Sequence, residues 1–206
     1  MFDWLFKKEF KAEELPRIID SLLPNLKRMR EAFVIALVAT LKTEIPELRK
    51  NKSWKLETIH DVPSLNCAFC GFQVICFSEF FYIHKFNKKN TSERKIINEK
   101  IYLTLLEEIC PDVSKSKISY YFYKYLYEKN NHIMMQSMTK DVVELSSIPN
   151  LNDIQEQNKL LNAVYSSVNS MRAQVFIELA NFFGEKKLVD KYLLEAGHGK
   201  KFEEIN

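Results

Sequence analysis

An all-α fold is what this chain of 206 residues predicts: a single-domain, irregular bundle of about six to eight helices, with room for one short strand or hairpin. Three observations carry that expectation. Only four glycines and six prolines punctuate the chain, whereas all-β sandwiches and barrels need a turn signal every ten residues or so. Apolar residues recur at spacings of three and four over long stretches, the mark of a helical face. With 46% of its residues hydrophobic, a chain of this length can bury a sizeable core, because the share of surface lost on folding rises with size. One helical domain spanning residues 1–206 is the default.

The elements follow in order. Phe2, Leu5, Phe6 and Phe10 fall within one or two helical turns, with Trp4 beside them. Residues 1–11 are therefore expected as a short amphipathic segment docked on the core, since stable membrane anchoring usually takes more than one signal. Glu13 and Glu14 ahead of Pro16 suit a first helical turn, where a missing N–H costs nothing, and Pro24 is expected to open the next helix in the same way. From there Leu26, Met29, Phe33, Leu37, Leu41 and Ile45 share one face, and Val34, Ile35 and Val38 make the middle apolar nearly all round. That pattern predicts a central, buried helix ended by Pro46.

The charged stretch RKNKSWKLETIHDVPS reads as a long connection in which Trp54, Leu56 and Ile59 leave room for a short strand. Ser64 is the expected N-cap of a helix running to about residue 86. Its face holds Leu65, Phe69, Phe72, Cys76, Phe80 and Ile83, widened by Ala68, Ile75 and Phe77. A further stripe through Ile97, Ile101, Leu105 and Ile109 stops at Pro111. Residues 118–127 carry six aromatics in the eight positions from Tyr120 to Tyr127, and their β-propensity competes with a helical reading. As a helix the segment turns Ile118, Phe122, Tyr125 and Leu126 inward and leaves Tyr120, Tyr123 and Tyr127 as a second stripe. A shorter helix spans Ile133 to Leu145, and residues 146–153 form an internal linker. Beyond it Ile154, Leu161, Val168, Val175 and Phe182 repeat every seven residues, with Val164 and Met171 between, which predicts a long helix antiparallel to a neighbour. Gly184 closes it. A last helix through Leu188, Val189, Tyr192 and Leu193 ends at Gly197.

Composition excludes several functions and names none. Thirty Lys and Arg against 27 acidic residues leave a formal charge of +3, too balanced for a dedicated nucleic-acid binder. Asp3, Lys7 and Lys8 break the apolar run a secretory signal needs. The uncharged apolar runs 32–41 and 65–78 are shorter than the roughly 20 residues of a spanning helix, so no transmembrane segment and a cytoplasmic location are expected.

Four cysteines, three of them within residues 67–76, do not resemble the disulfide framework of a small secreted domain, and reduced thiols are expected. Cys67 and Cys70 stand at C-x-x-C spacing, which supports a redox or metal-binding alternative. Cys67 would follow the Ser64 cap by three residues, near a helix N-terminus that lowers thiol pKa values. A metal set of Cys67, Cys70, Cys76 and His84 lacks the second histidine at finger spacing. Core packing is the preferred reading of these thiols. His60, His84, His132 and His198 show no paired spacing, and no glycine-rich phosphate loop or nucleophile elbow occurs. No cofactor and no catalytic residue is expected.

The rings of the tyrosine stripe either fill a helical core or form a binding surface; the stripe is the candidate binding surface because tyrosine supplies rigid amphipathic contact area at protein interfaces. Tyr120, Tyr123, Tyr127 and Lys124 are its candidate residues. The basic turn of Lys85, Lys88, Lys89, Arg94 and Lys95 reads as solvated. These signals point to a non-catalytic protein that binds another protein, with no role for nucleic acid. A bacterial toxin-neutralising, immunity-type inhibitor is one concrete form, with a toxin or effector as partner; a small cysteine-dependent enzyme or sensor is the alternative.

Overall fold

The computed structural model describes residues 12–51, 54, 62–85, 103, 114–128, 131–148 and 153–197. Among these residues the fold is all-α, with seven α-helices and no strand. A 3-10 turn at Ala12–Glu14 leads into α1, Leu15–Glu44, followed by α2 at Pro46–Lys50 and α3 at Pro63–His84. Then come α4 at Lys115–Leu126, α5 at Asn131–Leu145, α6 at Ile154–Phe182 and α7 at Lys186–Gly197. The expected amphipathic segment 1–11, all but Leu103 of the stripe 97–109, and the basic turn beyond Lys85 lie outside the described residues. So does most of the connection in which a short strand had room.

The helix of 22 residues α3 is the centre of the bundle. Every residue from Leu65 to Ser78 is buried, because the sequence is apolar around the whole helical circumference and the other helices must cover it on all sides. It packs against α1, α4, α5 and α6. Phe69, Phe72, Phe77, Phe80 and Phe81 are among its fully buried side chains, each stabilising the fold by about 1.5–3 kcal/mol relative to exposure. At about 33 Å, α3 is long and apolar enough to cross a membrane by length and composition. The uncharged run 65–78 alone had suggested otherwise because it stops at Glu79, whereas the helix continues through that single charge to His84. In the bundle 78% of its most apolar window is covered by protein.

Pro24 differs from expectation. It lies inside α1, a single helix of 30 residues, instead of opening a second one. Proline removes one bond to the carbonyl four residues back; Asp20 and Pro24 both face solvent, where water can satisfy that carbonyl. Pro46 does end α1, and it starts α2. At the head of α3, Pro63 occupies the first turn behind Val62, which gives no side-chain cap; Ser64 is inside the helix and is not its N-cap.

The long helix α6 is capped by Asp153, whose carboxylate accepts the Gln155 N–H at 2.8 Å. Gly184, with φ of 70°, supplies the left-handed residue that closes it, and the Glu185 N–H returns to the Ala180 carbonyl at 2.8 Å. The sevenfold stripe holds at its middle, where Val164, Val168, Met171 and Val175 are buried. Ile154 at the helix start is exposed. Antiparallel packing of α1 and α6 is fixed by Asn25, whose Nδ2 donates to Glu178 Oε2 at 3.0 Å.

Candidate functional site

α4 is a helix, which settles the competition with strand over residues 118–127. It meets α3 through Ile118, Tyr121, Phe122 and Tyr125, all buried, a set spaced at three, four and seven. The approach is close because Gly71 of α3 lies under it: a Cβ there would sit 2.9 Å from the Phe122 nitrogen and 2.9 Å from Tyr121 Cβ. Leu126, expected inward, is 42% exposed, and Tyr121 takes the inner place at 9%. One residue past Tyr125 is a rotation of about 100°, enough to carry Leu126 off the contact face.

The outer face of α4 presents Tyr120 at 62%, Tyr123 at 45% and Tyr127 at 79% exposure. Tyr123 and Tyr127 stack with centroids 6.2 Å apart, and Tyr120 meets Tyr121 edge-on at 5.2 Å. The rings therefore stand as an ordered aromatic ridge with Leu126 beside it. Lys124, the fourth candidate, forms an ion pair with Asp141 of α5. The same carboxylate accepts the Tyr125 hydroxyl at 2.8 Å. Burial and the neighbouring Asp141 charge push the Tyr125 phenol well above its usual range, so it stays a neutral donor.

Cys67, Cys70 and Cys76 all lie on α3. All three are buried to 1% or less; Cys67 and Cys76 are free thiols, whereas Cys70 is disulfide-bonded. Reduced thiols were expected throughout, and Cys70 departs from that; its bonding partner lies outside the described residues. Spacing in sequence does not reveal which cysteines a fold brings within bonding distance. With Pro63 opening α3, Cys67 occupies the fifth helical position, past the first turn where the dipole acts. Burial raises its pKa, against a smaller opposing influence of Lys117, and burial first, then Glu79, raises that of Cys76 well above normal. His84 is at the opposite end of α3, about 25 Å from Cys67 along the axis, with Nε2 2.6 Å from the Tyr192 hydroxyl. Cys67, Cys70, Cys76 and His84 do not converge on one ion, and among the described residues no three His, Cys, Asp or Glu side chains come together as a metal site would need.

Three arrangements had no sequence signal. Arg30, 7% exposed, is enclosed between α1 and α3, where its Nη1 donates to Asn66 Oδ1 at 3.1 Å and contacts Cys70 Sγ; burial lowers its pKa to about 10, partly offset by Glu31. At the far end of α3, Arg172 of α6 grips Glu79 with Nε at 3.0 Å from Oε2 and its Nη2 on the other oxygen; beside it Lys85, expected as part of a solvated turn, is instead drawn in by Glu185 and lies 4.0 Å over the Phe183 ring. Finally, a groove of about 1060 Å³ runs between α1 and α6 over Met29, Phe33 and Met171. Each depends on residues far apart in the chain.

No protein-family model, no curated protein and no solved structure matches the chain. The class defined by fold and site is thus a helical bundle that orders an aromatic ridge on its surface.

Proposed function

We propose that this protein acts by binding another protein through the outer face of α4. The observation that carries the reading is the exposure of Tyr120, Tyr123 and Tyr127 on a helix whose opposite face is locked against α3 and α5. Rings held in fixed positions lose little entropy on binding, and tyrosine is enriched among residues that dominate interface energies. Lys124 contributes through Asp141, keeping α4 in register, more than as a free charge. Neutralisation of a bacterial toxin or effector is one form of this function, and it requires a stoichiometric complex.

The test uses a partner isolated with the wild-type chain from its own cells. Tyr120→Ala, Tyr123→Ala and Tyr127→Ala should leave the melting temperature nearly unchanged while at least one weakens affinity by about 30-fold, the cost of losing a hot-spot ring. Tyr125→Ala, which empties a core position, should instead unfold the bundle. Undiminished affinity in all three surface variants would place the partner on another face.

A further inference from the structure

The groove between α1 and α6 has a charge pattern that identifies its occupant. Asn25 and Glu44 of α1 are nineteen residues apart, as are Lys159 and Glu178 of α6, so the groove is bounded by two antiparallel edges of about 28 Å. Arg28 and Glu178 stand at one end, joined through Asn25, which accepts from Arg28 and donates to Glu178. Glu44 and Lys159 stand at the other. Passing around the four corners, the charges alternate: Arg28 positive, Glu44 negative, Lys159 positive, Glu178 negative. Between the corners most of the lining is small, with Ala32, Ala36, Thr40, Ala163, Ser167 and Ser170, while Asn162 and Gln174 of α6 add two longer amide side chains; Ala36 is exposed midway between Arg28 and Glu44.

We infer that this face pairs with the same face of a second copy of the chain. A two-fold dimer interface is isologous, so every group must meet a complementary group from its own surface. A two-fold axis lying in the face and across the helices sets Arg28 over the second copy's Glu44, and Lys159 over its Glu178. An axis along the helices sets Arg28 over Glu178 and Glu44 over Lys159. Either way all four corners meet opposite charges. A foreign partner would have to reproduce this alternation, whereas a second copy carries it by construction. The short side chains of the centre let two helix pairs approach closely, with the serines in reach of hydrogen bonds; Phe33 and Met171 beneath are already buried in one copy, so of the floor only half-buried Met29 has water left to lose.

The experiment is sedimentation velocity on the full chain, with circular dichroism to confirm folding. Wild type should sediment as twice 24.3 kDa and dissociate as salt rises. Arg28→Glu should weaken the dimer by about tenfold or more, and a second reversal should restore it: Glu44→Arg if the axis crosses the helices, Glu178→Arg if it runs along them. Ala36→Arg, at an exposed position, should be monomeric; if it does not fold, the Arg28→Glu result decides. A wild-type monomer at about 100 μM, weaker than a specific interface sustains, overturns the inference. So does a dimer indifferent to Arg28→Glu, or one that neither second reversal restores.

Discussion

At the scale of single residues, Gly71 decides how closely α3 and α4 approach. Alanine is intrinsically better than glycine inside a helix by about 1 kcal/mol. Here the added methyl would meet the Phe122 nitrogen and Tyr121 Cβ, both at 2.9 Å, and backbone cannot rotate aside. Overpacking wins: Gly71→Ala should destabilise by about 1–3 kcal/mol, read as a lower urea midpoint with an unchanged slope. A midpoint that rises would mean the α3 and α4 contact has slack. From sequence alone Gly71 looks like an interruption in an apolar run, since nothing local shows that another helix crosses there. Tyr121 stands on the buried face where Leu126 was expected for the same reason: both fit an apolar face, and only the direction from which α3 arrives selects between them.

Among elements, α1 shows how a local breaker can be overridden. Pro24 costs one backbone bond yet α1 continues through it, because Leu22 and Leu26 are both buried on the same side and their burial holds the helix across the gap. Pro24→Ala restores the bond at an exposed position. It should stabilise by about 1 kcal/mol, less than the full helix-interior penalty because proline also restricts the unfolded chain. Chemical denaturation checks it, and a loss of stability would show that the proline sets a bend the packing needs. The boundaries that sequence marks well are those with a physical stop: Pro46 after α1, and Gly184 after α6. The start of α3 was misplaced by two residues' worth of cap, Ser64 for Val62, because Pro63 satisfies the first turn without a hydroxyl.

For the whole molecule, the buried phenols make an alkaline limit. Burial, with Glu195 and Glu79 and against Arg172, raises Tyr192 from 10.0 to about 12; Tyr121, Tyr125 and Tyr165 are raised too. The folded state holds the neutral phenol while the unfolded chain ionises near 10, so this contribution is complete below pH 10 and is lost as pH climbs toward about 12. Urea midpoints across that window should fall more steeply for wild type than for Tyr192→Phe, which has no phenol to ionise there. Equal slopes would mean Tyr192 titrates as in an unfolded chain. Since His84 holds the Tyr192 hydroxyl at 2.6 Å, the same variant also reports on how α7 is fastened to the end of α3.

What the sequence determined by itself was periodic or local. The all-α class and the helices near 64–86, 133–145 and 154–182 follow from spacing along one helix, which needs no knowledge of neighbours. The start of α1 at Leu15 was hidden by Pro24, and the helical state of 118–127, with the outward place of Tyr120, Tyr123 and Tyr127, stayed open until α4 was seen against α3. Only the tertiary structure decided what lies between helices: the Arg30 and Asn66 pair, the Arg172 grip on Glu79, the Lys124 and Asp141 pair, the bonding of Cys70, and the groove with its alternating corners. Those depend on the crossing of elements distant in sequence, and crossings are set by the summed packing of many side chains around α3. A pattern of three and four says which face is buried, and it carries no information about what that face will meet.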